Sequence, residues 1–111
     1  MDAIGYYELS GSEGLIFTFV SSGHREIRKV IKYTPVATYM NREVYNLGFG
    51  DMDGEDVTSL TDRSNTNNGD MYQVFNTVLH SIPLFFELHP EAFLYVTGYD
   101  DLRQELSLIH I

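Results

Sequence analysis

The sequence predicts an α+β domain, in which an antiparallel hairpin and meander sheet is packed by one long helix. A further strand and a C-terminal helix are predicted to follow. The first half of the chain alternates β-branched and aromatic runs with glycine-containing turns, which is typical of β-hairpins. A helical apolar period begins at Met71. After it, AFLYVTG at residues 92–98 indicates another strand, and DLRQEL at residues 101–106 begins the predicted C-terminal helix.

The first strands are predicted from residue type and alternation. Residues 4–9 are a candidate short strand, and residues 15–21, LIFTFVS, are predicted to be a strand buried on both faces. In residues 27–36 apolar side chains alternate with basic and polar ones, which indicates a half-buried strand that forms a hairpin with the preceding one. Pro35 has no N–H to donate, so it is predicted to mark the end of this strand or an edge of the sheet.

A further strand is predicted over residues 43–49, EVYNLGF. Gly48 and Gly50 indicate a β-bulge or a close approach of backbone at this place. Residues 50–70 are polar and contain one more candidate strand near Val57–Leu60.

The long helix is predicted from an apolar face with helical spacing. The residues of this face are Met71, Val74, Phe75, Val78, Leu79 and Ile82. Asp70 and Gln73 form a candidate capping box at the start of the helix. Pro83 removes one backbone hydrogen bond and clashes with the preceding turn, so we expect a kink or break near residues 81–83. Pro90 closes the segment.

Composition narrows the class of protein. A chain of 111 residues is the length of one domain, and the lack of cysteine excludes disulfides, thiolate nucleophiles and cysteine-based zinc sites. The sequence shows no secretory signal and no membrane-spanning run, so we expect a cytoplasmic protein. The formal net charge of −9 disfavours nucleic acid and favours a basic protein partner, or serves only solubility. No cofactor is predicted.

Several segments together form a recognisable pattern. They are KVIKYTPV, VYNLGFGD (Val44–Asp51), TNNGD (Thr66–Asp70), the helix from Met71, HPEAFLYVTG (His89–Gly98) and Arg103. The pattern covers nearly the whole chain and resembles an uncharacterised family of small bacterial proteins, a domain of unknown function. This resemblance implies a fold class but no activity. The chain departs from the family at Pro83, where the family helix is continuous, and at Glu105, where the family has a second arginine.

The final six residues, LSLIHI, resemble the in-frame translation of the mosaic end of a common transposase sequencing adapter. We therefore expect residues 1–105 to form a single α+β domain and residues 106–111 to be a non-native tail on a gene clipped in metagenomic data. The alternative is an ordinary apolar helix end. A non-native tail would leave the sheet without its last strand, and the unpaired edge would favour a homo-oligomer.

The acidic segment DMDGED, residues 51–56, has carboxylates at alternate positions, which suit calcium. An EF-hand loop requires glycine at its sixth position and glutamate at its twelfth, where this chain has Asp56 and Asp62. A solvated acidic turn is therefore the favoured interpretation, and no metal site is predicted.

A candidate polar cleft consists of Asp51, Asn67, Asn68, Asp70 and Arg103. Asp51 and Arg103 follow predicted strands, whereas the other three precede the helix, whose free N–H groups could bind an anion. The negative charge of Asp70 opposes an anion at that position, so helix capping is the alternative role.

A candidate basic strip consists of Arg25, Arg28, Lys29 and Lys32. Arg28 and Lys32 share one face of the predicted strand, where they could bind a phosphate, RNA or an acidic partner. The alternative is an edge strand that its charges protect against aggregation.

The sequence contains no nucleophile elbow, no Walker A loop and no dinucleotide-binding motif. It therefore favours a small acidic, non-enzymatic protein-interaction module of the antitoxin, immunity, defence-associated or inhibitor kind. The alternative is a small enzyme, or a nucleotide- or anion-binding domain, that uses the polar cleft.

Overall fold

The computed structural model of the chain describes residues 5–52, 68–97 and 106–109. In these residues the elements are β1 (Ser10–Ser12), β2 (Ile16–Ser22), β3 (Glu26–Tyr39), β4 (Arg42–Asp51), α1 (Met71–Leu88), β5 (Phe93–Thr97) and β6 (Leu106–Ile109). The strands form one sheet in the order β1-β2-β3-β4-β5-β6. The predicted α+β class is thus confirmed.

The sheet is mixed, because β4 and β5 are parallel while every other neighbouring pair is antiparallel. The parallel pair runs from Val44 opposite Phe93 to Leu47 opposite Val96. α1 lies between these two strands in the chain and provides the long crossover that a parallel connection requires. The predicted antiparallel arrangement therefore holds everywhere except at this pair.

The segment before β1 differs from its prediction as a strand, since residues 5–9 lie outside every strand of the sheet. The backbone N–H of Tyr7 donates to Thr77 Oγ1 over 2.8 Å instead of joining a strand ladder. β2 differs as well, because its burial alternates: Phe17 and Phe19 are buried, whereas Val20 is exposed. One face of β2 packs in the core and the other does not.

β3 does not end at Pro35 but continues to Tyr39. The register with β4 shifts between Pro35 and Ala37, so the missing proline N–H falls at an irregularity of the ladder, where it is tolerated. β3 and β4 then meet in a two-residue turn at Met40 and Asn41. The φ angles of these two residues, 54° and 65°, are in the left-handed region that tight hairpin turns use.

α1 is continuous through Pro83, so the predicted break is absent. Pro83 is exposed, and so is Leu79, whose carbonyl is the one that a proline at this position leaves without its helical donor.

The buried face of α1 is rotated relative to the predicted one. The buried residues are Val74, Thr77, Val78, Ser81, Phe85 and Phe86. Val74 and Val78 were expected there, but Met71, Phe75 and Leu79 are exposed. The rotation is possible because the two buried hydroxyls are hydrogen-bonded: Thr77 Oγ1 donates to the carbonyl of Gln73, and Ser81 Oγ contacts the hydroxyl of Tyr33.

The C-terminal part of the chain differs from the predicted helix in the residues that are described. Residues 106–109 form β6, which pairs antiparallel with β5 from Leu94 opposite Ile109 to Thr97 opposite Leu106. The start of the predicted C-terminal helix at residues 101–105 lies outside the described residues, as does the candidate strand near Val57–Leu60.

The core lies between α1 and the sheet, and its centre is aromatic. The ring of Phe85 stacks on that of Tyr33 with centroids 4.3 Å apart and meets the ring of Tyr45 edge-on at 5.1 Å. Phe17 contacts Tyr33 from β2.

In the part of the chain that the structure describes, no helix is both long enough and apolar enough to cross a membrane.

Candidate functional site

A cluster of polar side chains lies where α1 begins, at one end of the sheet. The cluster, called the polar cluster below, consists of Tyr7, Ser21, Lys29, Asp51, Asn68 and Asp70. In the sheet register Lys29 of β3 is opposite both Phe19 of β2 and Asp51 of β4. Cross-strand partners project from the same face of a sheet, so this register places Lys29 and Asp51 together on the face that α1 covers.

Lys29 and Asp51 form the ionic part of the polar cluster. Lys29 Nζ lies 2.6 Å from Asp51 Oδ1, and the two side chains are 1% and 17% exposed. A lysine is almost never buried so completely without a carboxylate partner, because the desolvated ammonium is otherwise very costly. Lys29 therefore depends on its acidic neighbours.

Asp70 joins the N-terminal segment and β2 to the start of α1. Its Oδ2 atom accepts hydrogen bonds from the hydroxyl of Tyr7 at 2.6 Å and from that of Ser21 at 2.5 Å. The side chain makes no capping hydrogen bond, so the predicted capping box with Gln73 is wrong. The carboxylate is instead used for contacts that are distant in sequence.

The environment of Asp70 changes its acidity. Burial by itself raises the pKa of this carboxyl, but the hydrogen bonds from Ser21 and Tyr7, with the ammonium of Lys29 nearby, favour the charged form. The net effect is a pKa below the ordinary value for aspartate. Burial and the hydrogen bond to Asp70 have the opposite effect on Tyr7, whose phenol pKa is raised.

Asn68 fastens the turn between β2 and β3. Its amide Nδ2 donates to Ser21 Oγ at 3.1 Å and to the carbonyl of Arg25 at 2.5 Å, while its Oδ1 accepts from the backbone N–H of Arg25 at 3.1 Å. A side chain at Gly23 would meet the Asn68 carbonyl oxygen at 1.8 Å, so only glycine permits this approach. Asn68 thus connects the β2–β3 turn to the start of α1 by hydrogen bonds.

The polar cluster brings together part of the predicted polar cleft. Asn68 and Asp70 are linked through Ser21, and Asp51 is paired with Lys29, whose charge acts on Asp70. Asn67 and Arg103 lie outside the described residues. In the described part of the chain no buried side-chain nitrogen or oxygen lacks a hydrogen-bond partner, and no group of three potential metal ligands is present. The buried polar side chains of the cluster therefore have their hydrogen-bond and ionic partners within the protein.

The residues of the predicted basic strip do not all lie on one face of the sheet. Arg28 and Lys32 occupy alternate positions on one face of β3, while Lys29 lies on the other face, buried against Asp51. The backbone N–H of Arg25 is bonded to Asn68. The four residues therefore do not form one continuous surface.

A second feature is the apolar outer side of α1. The outer stripe, as we call it, consists of Met71, Tyr72, Phe75 and Leu79, which are 54%, 69%, 44% and 60% exposed. Its side chains follow one another at helical spacing, so they form one continuous surface. α1 has a single charged residue, Glu87, in its 18 residues. A helix with apolar residues on both faces is normally covered on both faces.

Because the pKa of Asp70 is lowered, the stability of the fold is expected to depend on pH in the acidic range. Because the folded-state pKa lies below that of the unfolded chain, Asp70 stabilises the fold above the unfolded-state pKa, and this contribution is lost as the pH falls through the folded-state pKa. We expect urea unfolding at a series of acidic pH values to show a smaller decline in stability for Asp70→Asn than for the wild type. The control Glu26→Gln removes an exposed carboxyl, and equal slopes for all three proteins would contradict the prediction.

The sequence matches one protein-family model. The model of a family of unknown function (DUF6934) matches residues 4–111, in agreement with the resemblance noted from the motifs. No curated protein and no solved structure gives a significant match.

Proposed function

We propose that this chain, which belongs to the family of unknown function DUF6934, is a protein-interaction module that binds a partner through the outer stripe of α1. The activity is of the antitoxin, immunity or inhibitor kind, in which binding itself is the function. The observation that carries this proposal is the exposure of Met71, Tyr72, Phe75 and Leu79 as one continuous apolar surface.

Side chains next to the outer stripe enlarge the apolar surface. Phe49 of β4 meets the ring of Phe75 edge-on, with centroids 6.3 Å apart. Tyr6 stacks on His80 at 4.1 Å and is itself exposed. Aromatic residues of this kind contribute much of the binding energy at protein interfaces.

The charge of the chain indicates the chemistry of the partner. The outer stripe has no charged residue, but the whole chain has a net charge of −9. Such a field attracts a partner whose apolar patch has lysine and arginine around its rim, and it opposes association of two identical acidic copies. We therefore propose a basic protein as the partner.

The polar cluster supports the same proposal by providing a rigid base. It ties the N-terminal segment and the β2–β3 turn to the start of α1, the end from which the outer stripe begins, and it joins β3 to β4 through Lys29 and Asp51. The alternative of an enzyme or an anion-binding cleft at Asp51, Asn68, Asp70 and Arg103 has less support. Asn68 and Asp70 are both hydrogen-bonded to Ser21, and Asp51 is paired with Lys29, so the three described side chains are engaged within the protein.

The proposal is tested by site-specific photo-crosslinking in a host lysate. A photoreactive amino acid at Tyr72 is expected to give a discrete adduct with a basic protein, and the same group at Met40, in the exposed hairpin turn, is not. Leu79→Lys places a positive charge in the outer stripe and should weaken binding by about thirtyfold, the effect of losing one strong interface contact.

The matched control is Leu88→Lys. Leu88 is also a leucine of α1 with 60% exposure, but it lies outside the outer stripe, so this variant should retain the adduct. Adducts of equal yield at both crosslinking positions, an adduct unaffected by Leu79→Lys, or a product consisting only of two copies of this chain would contradict the proposal.

A further inference from the structure

The edge of β2 opens into a groove that is separate from the outer stripe and shares only Tyr7 with the polar cluster. The groove has a volume of about 460 Å³ and lies between the N-terminal segment and β2, with Glu8, Ser10, Thr18, Val20 and Arg28 among its lining residues. We call it the edge groove. Its size is within the range of small-ligand sites in proteins.

The edge groove exists because the pairing of β1 with β2 stops early. The ladder ends at Ser10 opposite Thr18, so the pairs that would continue the same register, Leu9 with Phe19 and then Glu8 with Val20, are not made. The chain before Ser10 is drawn away towards α1, since the N–H of Tyr7 is bonded to Thr77 and its hydroxyl to Asp70. A gap is left where a longer strand would lie.

The backbone of Val20 faces this gap. The N–H of Tyr33 donates to the carbonyl of Leu15, which assigns the odd-numbered residues of β2 to hydrogen bonds with β3. The even-numbered residues therefore point the other way, and the N–H of Ser22 agrees, because it donates to the hydroxyl of Tyr7 on that side. Val20 thus presents one donor and one acceptor to the edge groove, with the spacing that an extended peptide matches.

Two opposite charges line the same groove. Arg28 is the cross-strand partner of Val20 in β3, and Glu8 belongs to the opposite wall. The guanidinium has five N–H donors, so it can hold a carboxylate in addition to its contacts within the protein. Glu8 supplies a carboxylate for an ammonium group.

We propose that the edge groove binds a short zwitterionic peptide of dipeptide size. The peptide carboxylate pairs with Arg28, its ammonium pairs with Glu8, and its amide carbonyl accepts a hydrogen bond from the N–H of Val20. This site is on a different surface from the outer stripe and does not depend on the proposed protein partner.

The probe is alanyl-alanine, titrated into ¹⁵N-labelled protein and followed by NMR. We expect saturable shifts of the backbone amides of Ser10, Thr18 and Val20. The N-acetylated peptide lacks the ammonium and the peptide amide lacks the carboxylate. Each should bind about tenfold more weakly, as expected for the loss of one charge-assisted contact.

Two variants and a control complete the test. Arg28→Gln and Glu8→Gln should each weaken alanyl-alanine binding by a similar factor, whereas Lys32→Gln, on the same face of β3 as Arg28, should not. No saturable shift, binding that survives both groove variants, or blocked peptides that bind as tightly as alanyl-alanine would overturn the proposal. The crosslink at Tyr72 should persist in both groove variants, so failure of one proposal is distinguishable from failure of the other.

Discussion

Replacing Lys29 with methionine is expected to lower the free energy of unfolding by about 3–5 kcal/mol, the range for breaking a buried ion pair from one side. The Lys29 side chain is 1% exposed, and its Nζ atom lies 2.6 Å from Asp51 Oδ1. Methionine fills a similar volume, so the loss comes mainly from the charge. Asp51 and the nearby Asp70 are then left as two carboxylates without their cation.

Urea unfolding at neutral pH measures this loss. Lys32→Met is the matched control, because Lys32 lies on the opposite face of the same strand and a surface change of this kind usually alters stability by about 0.5 kcal/mol or less. The double variant Lys29→Met with Asp51→Asn should lose less than the sum of the single losses, since the two groups interact directly. Equal effects of Lys29→Met and Lys32→Met would show that the ion pair does not hold the fold together.

Phe85→Ala is expected to have an effect of similar size, about 3–5 kcal/mol, for a different reason. The Phe85 side chain is 0% exposed and contacts the rings of Tyr33, Tyr45 and Phe86. Truncation removes these contacts and leaves a cavity between α1 and the sheet that rigid aromatic neighbours cannot close. Thermal and urea unfolding should both report the loss.

Leu88→Ala provides the control for Phe85→Ala in the same turn of α1. Leu88 is 60% exposed, so its truncation should cost only a small fraction of the Phe85 effect. A loss below about 1 kcal/mol for Phe85→Ala would contradict a core centred on this ring.

The sequence was sufficient to place α1 but not to orient it. The spacing of Val74 and Val78 identifies the helix, and both residues are buried. The same spacing assigns Phe75 and Leu79 to the core, where the structure has Thr77 and Ser81 instead. Buried hydroxyls are acceptable only with partners, and those partners, Tyr7 and Tyr33, are distant in sequence. Helical periodicity carries no information about such contacts.

The sequence likewise indicates the positions of some members of the polar cluster but not of others. Lys29 has the same strand parity as the buried Ile31 and Tyr33, so alternation alone could have separated it from Arg28 and Lys32. Ser21 likewise alternates with Phe17 and Phe19, which indicates an inward position. Tyr7 has no comparable signal, because its hydrogen bond to Asp70 joins residues 63 positions apart.

The edge groove and the parallel β4–β5 pair could not be predicted for a related reason. The edge groove depends on where the β1–β2 ladder ends, and the parallel pair depends on which strand β5 pairs with. Residue patterns indicate the interior of a strand better than its ends or its pairing partner. The sequence predicts β2, β3 and β4 close to their observed positions, apart from the continuation of β3 to Tyr39, because residue type and alternation are local features of the chain.

The parallel pairing of β4 with β5 also determines the order in which the chain can fold. β2, β3 and β4 are neighbours in sequence and in space, so they can associate as soon as they leave the ribosome. β5 cannot join them until the whole of α1 has been synthesised. During that interval the nascent meander exposes Phe17, Ile31 and Tyr33 to solvent, where a chaperone can bind before α1 covers them.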